Sequence, residues 1–261
     1  MAAIKSKPLK VLLLGGTSEA AEIAAHLAKL HDLSATLSLA GRTAQPSASP
    51  LPVRSGGFGG ADGLAAYLTS ENVDVVVDAT HPFAVAISTN AIAACEQKGI
   101  PLLAVERPPW TRLSGDDWDE YETIAAAVAA LPETPRRVFS GLGRQAIATL
   151  CAAPQHHYVI RVIDPVTPPP ALHHATIIAA RGPFPTEDDV ILFKRHSIEC
   201  VLAKNSGGMA AYAKLAAARQ LGLKVYMVRR PAIPARPVMH SVEDALAWIV
   251  ARHPLCSDRG V

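Results

Sequence analysis

What this 261-residue chain lacks narrows it first. It has no uninterrupted apolar run of about 18 residues, which argues against a membrane-spanning helix. The apolar stretch after the N-terminal lysines is too short for a signal-peptide core and meets no cleavage site, so a cytoplasmic location is expected. Its four cysteines, Cys95, Cys151, Cys200 and Cys256, stand far apart. Neither CxxC nor a zinc-type His/Cys spacing occurs, so buried or incidental thiols and no metal site are expected. His156-His157 and His173-His174 are sequence neighbours; on a strand such neighbours face opposite sides and cannot share a metal. There is no GxxxxGK[ST] loop for nucleoside triphosphates and no GxSxG elbow for hydrolysis. Aromatics make up only 5% of the chain. With so few to interleave among scattered basic residues, nucleic acid is a poor partner.

What is present is aliphatic. Half of the chain is hydrophobic, and Ala, Val, Ile and Leu dominate, a composition that suits parallel sheets covered by helices. Apolar runs and helical periodicities alternate. Strands are predicted at 9–14, 35–39, 51–54, 73–77 and 101–105, with helices at 18–30, 61–70 and 84–98 between them. The stretch 107–122, with prolines, tryptophans and acids, reads as a connection rather than core. After a helix at 123–131 the pattern restarts. Strands are predicted at 136–140, 158–162, 176–180, 200–203 and 224–228, with helices to about 151 and at 186–196, 209–221 and 242–252. Two runs of β/α units predict an α/β protein of two doubly wound, Rossmann- or flavodoxin-like parallel-sheet domains with a cleft between them, 1–133 and 134–261. Charge divides along that line: 9 Lys and Arg against 15 Asp and Glu in the first part, 16 against 8 in the second. A basic half points to an anionic partner.

In open parallel sheets ligands bind beyond the carboxyl ends of the strands. After the first strand comes Gly15-Gly16-Thr17-Ser18-Glu19, where glycines permit a tight turn and the helix start faces an anion. After the second comes Ser38, then Gly41-Arg42-Thr43. No acidic residue is there to hold ribose hydroxyls; Ser38, Arg42 and Thr43 suit a 2′-phosphate instead, which favours NADP(H). After the third come Gly56, Gly57 and Phe58, a loop able to cover an adenine or pyrophosphate. After the fourth come Asp78, Thr80, His81 and Pro82, with His81 a candidate proton donor or cofactor ligand and equally readable as a turn-forming histidine. In the second part the strand ends carry Ser140 and Arg144, Arg161, Arg181, Lys204-Asn205-Ser206-Gly207-Gly208, and Arg229-Arg230. Basic groups at several strand ends suit a polycarboxylate or phosphate ligand.

These loops carry a resemblance. Residues 11–20, Asp78-Ala79-Thr80-His81-Pro82-Phe83-Ala84, Arg107-Pro108 through Trp110, Lys204-Asn205-Ser206-Gly207-Gly208 and Arg229-Arg230-Pro231 resemble the precorrin-6x reductase family of cobalamin biosynthesis, over nearly the whole chain. The resemblance implies NADPH-dependent reduction of one double bond in the macrocycle precorrin-6A, giving precorrin-6B. It implies a polycarboxylate tetrapyrrole as partner, no resident metal, and a monomer or homodimer. Two alternatives stay open: a cobalt-precorrin-6A reductase, and a non-catalytic NADP-binding regulatory protein.

Overall fold

The structure, a computed structural model, describes residues 7–41, 47–169 and 171–252. The chain forms two compact units, one from 1–107 with 232–261, the other from 108–231.

In the first unit, strands and helices alternate as β1 (Leu9–Leu14), α1 (Ser18–Leu27), β2 (Leu33–Leu39), β3 (Val53–Ser55), α2 (Gly60–Ser70), β4 (Val75–Asp78), α3 (Val85–Lys98) and β5 (Leu102–Val105). The sheet order is β3-β2-β1-β4-β5-β12, parallel throughout. Its sixth strand, β12 (Val238–Met239), returns from the far end of the chain and is followed by α8 (Val242–Val250). This is the Rossmann order, not the flavodoxin order. The β1 sequence LKVLLL shows why the sheet is covered on both faces. Val11 and Leu13 pack with Ile23 of α1 and Ile249 of α8, while Leu12 and Leu14 pack with Leu64 of α2 and Ile92 of α3. A strand buried on both sides needs apolar residues at successive positions, not alternate ones.

The second unit contains β6 (Trp118–Tyr121), α4 (Ile124–Ala129), β7 (Arg137–Ser140), α5 (Ile147–Leu150), β8 (His157–Val162), β9 (Ala175–Ala179), α6 (Thr186–Arg195), β10 (Cys200–Lys204), α7 (Ala213–Leu221) and β11 (Lys224–Val228). Its order is β9-β8-β7-β10-β11-β6, again parallel. The α6 sequence complements its own dipole, with Glu187, Asp188 and Asp189 in the first turn and Lys194 and Arg195 in the last.

Two expectations change here. The 107–122 stretch is not a connection: it supplies β6, and Trp118 is 1% exposed in the core against Phe193 and Val225. The division at 133/134 therefore falls inside the second unit, because β6 pairs with β11 and β12 pairs with β5. With the units drawn by contact, 108–231 holds 14 Lys and Arg against 11 Asp and Glu. Most of the charge asymmetry disappears because the acidic stretch folds back onto the basic strand ends. Lys224 pairs with Asp117 and Asp119, and Arg229 with Glu120 and Glu122.

Cys95 and Cys200 are buried, and desolvation pushes both thiols up to about 12, which leaves them unreactive. Cys256 lies outside the described residues. His156 and His157 have separate partners: the His156 Nδ1 accepts from the Arg136 backbone N–H at 3.1 Å, and the His157 Nε2 meets the Thr176 hydroxyl at 3.2 Å. Among the described residues no three His, Cys, Asp or Glu side chains cluster to hold a metal ion. No described helix is long and apolar enough to cross a membrane.

His156 and His157 set an acid limit. Desolvation first, and then Arg136, lowers the His156 pKa; desolvation, and then neighbouring cations, lowers that of His157. A histidine whose folded pKa lies below its unfolded value of about 6.5 leaves the unfolded state binding more protons. Stability is then complete above that value and falls as pH drops through it. The melting temperature is expected to fall between pH 7.5 and pH 5.5, with a shallower fall in His156→Gln. An equal fall in both proteins would show that His156 is not the titrating group.

Candidate functional site

In the first sheet β1 and β4 lie side by side but lead to opposite directions of strand order, which makes their carboxyl ends the switch point where α/β folds bind ligands. The glycine turn is there. Gly15 follows β1 directly, and its N–H donates to the Ser38 carbonyl at 2.9 Å. A Cβ on Gly15 would stand 2.5 Å from Leu37 Cδ1 and 3.2 Å from Ala20 Cβ. Gly16 takes φ +122°, which side chains avoid. Thr17 is the N-cap of α1: its hydroxyl accepts from the Ala20 N–H at 3.2 Å and donates to the Ala79 carbonyl at 2.7 Å, so it ties the turn to the end of β4. The first backbone N–H groups of a helix have no partner within it, and a Cβ at Gly16, just before α1, would meet nothing within 4 Å. That arrangement fits the pyrophosphate of a dinucleotide.

Glu19 and Ser18 have protein partners. Arg107 holds the Glu19 carboxylate at 2.8 and 3.1 Å, and the Ser18 hydroxyl donates to it at 3.1 Å. Burial would raise the Glu19 pKa, but a backbone hydrogen bond and Arg107 outweigh it and hold it low. Glu19 therefore stays ionised and links the first turn of α1 to the end of β5.

At the ends of β2 and β3, Ser38 is 5% exposed and Gly41 has φ +69°. The residues expected to read a 2′-phosphate, Arg42 and Thr43, lie outside the described residues. A cation not singled out in the sequence stands beside Ser38. Arg54 donates to the Ser38 hydroxyl at 2.8 Å and to the Gly56 and Gly57 carbonyls, each at 3.1 Å. Its guanidinium lies 3.8 Å from the Phe58 ring centroid, and Phe58 in turn sets its ring edge-on to Tyr67. Gly56, Gly57 and Phe58 thus form a loop organised around Arg54.

At the end of β4, Asp78 is buried and its Oδ1 accepts from the Thr80 N–H and hydroxyl at 3.1 and 2.6 Å. The His81 Nδ1 accepts from the Phe83 N–H at 3.2 Å. With Nδ1 accepting, the proton of the neutral ring sits on Nε2. His81, Thr80 and Pro82 line a narrow crevice with Asp78, Glu106 and Arg236. Arg236 pairs there with Glu106. Nothing in the local sequence near His81 announces Arg236, which arrives about 155 residues later on the returning chain.

In the second unit the basic residues divide. Arg161 forms an ion pair with Asp189 at 2.5 Å and stacks 4.0 Å from Phe184, with side chains 10% and 3% exposed. Arg229 is paired with Glu120 and Glu122. Arg230 donates to the carbonyls of Asn205 and Ser206 at 2.9 and 3.1 Å. Asn205 exchanges two hydrogen bonds with the Trp110 backbone, and the Trp110 indole donates to the Gly208 carbonyl at 2.8 Å. The Lys-Asn-Ser-Gly-Gly stretch is therefore laced into shape by Trp110 and Arg230. Arg161, Arg229, Arg230 and Asn205 have structural work that the sequence did not reveal. Arg144 and Arg181 are exposed, and Lys204 reaches the Leu142 carbonyl at 3.0 Å. Ser140 is fully buried at the β7/β10 switch point, and its hydroxyl has no hydrogen-bond partner among the described residues.

Residues 10–250 match the family model described as precorrin-6x reductase CbiJ/CobK. The chain is 50% identical to a precorrin-6A reductase of Rhodobacter capsulatus, over 92% of this chain and 95% of that one. It is 43% identical to one of Rhodococcus erythropolis, over 92% and 97%. A cobalt-precorrin-6A reductase of Priestia megaterium is 26% identical, over 92% and 98%. A solved structure titled CobK precorrin-6A reductase superposes with a TM-score of 0.88 at 49% identity, over 97% of this chain and all of that one. A parallel two-sheet fold, a glycine turn at a switch point and these matches lead to one conclusion: the chain belongs to the precorrin-6x reductase family.

Proposed function

We propose that this protein reduces precorrin-6A in cobalamin biosynthesis, with NADPH bound at the carboxyl edge of the first sheet. The observation that carries the cofactor reading is the Gly15–Glu19 turn at the β1/β4 switch point, where Gly16 takes φ +122° and Thr17 caps α1. Bound NADPH supplies the hydride. The α1 N-terminus and the Thr17-capped turn receive the pyrophosphate, and the β2 and β3 ends receive the adenosine ribose. His81 holds a proton at Nε2 in the crevice at the end of β4 and is the candidate donor to the reduced ring. The residue work is otherwise positional: holding a nicotinamide in contact with a conjugated carbon is what such a reduction mainly requires. In the second unit, the substrate residues that keep exposed or strand-end positions are Arg144, Arg181, Lys204 and the Ser206-Gly207 turn. Their charge suits the carboxylates of a tetrapyrrole.

The metal-free substrate is favoured over the cobalt form by identities of 50% and 43% with precorrin-6A reductases against 26% with a cobalt-precorrin relative. The test is direct. Purified protein, precorrin-6A and NADPH are expected to consume NADPH one-for-one with substrate, followed by absorbance. Consumption only with the cobalt form would move the protein to the other branch. Binding of NADPH without any oxidation would leave a nucleotide-binding regulator.

A further inference from the structure

Arg54 stands beside Ser38 near the carboxyl end of β2. In the sheet register Leu14 opposes Ser38 and Ser38 opposes Arg54, so the phosphate-binding turn, Ser38 and Arg54 occupy adjacent strands at one edge. In dinucleotide folds the end of the second strand meets the adenosine ribose: a carboxylate there takes the 2′-hydroxyl, and an arginine accommodates a 2′-phosphate. Here Ser38 occupies that strand end and is braced by Arg54 at 2.8 Å.

The guanidinium is held in place from several sides. It lies over Phe58 at 3.8 Å, is 5.3 Å from the Tyr67 ring centroid, and donates to two loop carbonyls. The Ser38 hydroxyl and these two carbonyls are uncharged, so the bonds orient the cation without neutralising it. They use three of the five N–H donors of an arginine. A planar fork fixed before binding suits a phosphate far better than a mobile ammonium would.

We propose that Arg54, seated on Phe58 and braced by Ser38, reads the 2′-phosphate of NADPH and sets the preference for NADPH over NADH. This rests on the NADPH reading of the first unit. It differs from the expectation drawn from the sequence, which gave the role to Arg42.

The test uses the full chain and two fragments, 2′,5′-ADP and 5′-AMP, which differ only in the 2′-phosphate, followed by titration calorimetry. The wild type is expected to prefer 2′,5′-ADP. Arg54→Gln is expected to weaken 2′,5′-ADP by about 10- to 100-fold, the range for losing a hydrogen-bonded charge contact, and to change 5′-AMP little. Arg54→Lys keeps the charge but not the fork, and is expected to fall between them; it also covers the case in which Arg54→Gln does not fold. The same order is expected in the ratio of kcat/KM for NADPH to that for NADH. If the variants weaken both fragments equally, Arg54 only braces the loop and the proposal is overturned. Retained preference in the Arg54 variants, with loss in Arg42→Ala, overturns it in favour of Arg42. If the wild type binds neither fragment, the NADPH reading itself fails, an outcome distinct from the other two.

Discussion

Arg161→Met is expected to lower the unfolding free energy by about 3–5 kcal/mol, the usual cost of removing one partner from a buried ion pair. The pair qualifies because both side chains are nearly inaccessible, 10% for Arg161 and 3% for Asp189. Phe139 and Phe184 flank the guanidinium at 4.8 and 4.0 Å, so little water can replace it. Burial already raises the Asp189 carboxyl, against the opposing pull of Arg161. Without Arg161 it rises further. A carboxyl whose folded pKa lies above its unfolded value binds protons more readily in the folded state, so its stability contribution is greatest at acid pH and declines as pH rises through the folded pKa. The deficit of Arg161→Met should therefore be largest at neutral pH and shrink on acidification. Replacing both partners, as in Arg161→Met with Asp189→Leu, should recover most of the loss. Urea unfolding of the parent and both variants measures this. A deficit below about 1 kcal/mol would mean that the pair is effectively solvated. Reduced activity in Arg161→Met with unchanged stability would restore Arg161 to the substrate site.

Gly63→Ala is expected to destabilise the protein by about 2–3 kcal/mol, as overpacking does, although alanine is ordinarily the better helix residue by about 1 kcal/mol. Gly63 lies in the first turn of α2, and the chain enters that helix by crossing directly over it. A Cβ there would stand 1.8 Å from the Phe58 carbonyl oxygen and 2.8 Å from its carbon. Those are backbone atoms, and no rotamer change relieves them. The Phe58 loop would have to lift, and with it the ring beneath Arg54 and the Gly56 and Gly57 carbonyls that orient it. NADPH affinity is therefore expected to fall together with stability. Gly57→Ala is the control: a Cβ there meets nothing within 4 Å, and the stability change should stay within about 0.5 kcal/mol. If Gly63→Ala is as stable as the parent, the close approach of the Phe58 backbone is not real.

Much of the fold is legible along the chain because both sheets are parallel and buried. Strands such as VVVD at β4 and CVLAK at β10 are near-continuous apolar runs, and each is followed by a turn and a helical period. Local pattern is enough for these because all their residues but Lys204 are buried. The edge strands β6 and β12 are different. β6 is WDEY and β12 is two residues, VM. Neither has a period to detect, and each joins its sheet through a partner more than a hundred residues away in sequence. The first joins the second sheet and the second joins the first, which is why the units divide at 107/108 and 231/232 and not at 133/134.

The same physics separates the site residues. The sequence by itself determined the glycine turn after β1, the Asp-Ala-Thr-His-Pro turn after β4, and the family they belong to, since turn chemistry and motif spacing are local. Only the tertiary structure decided which cations are committed to the protein. Arg161 finds Asp189, Arg229 finds Glu120 and Glu122, and Arg230 finds the carbonyls after β10, across separations from 24 to 109 residues. It also showed Arg54 beside Ser38, because neighbouring strands bring together residues 16 apart in the chain. Charge can be counted from a sequence, but whether it is compensated depends on distance in space, and in a parallel sheet the nearest partner is seldom near in sequence.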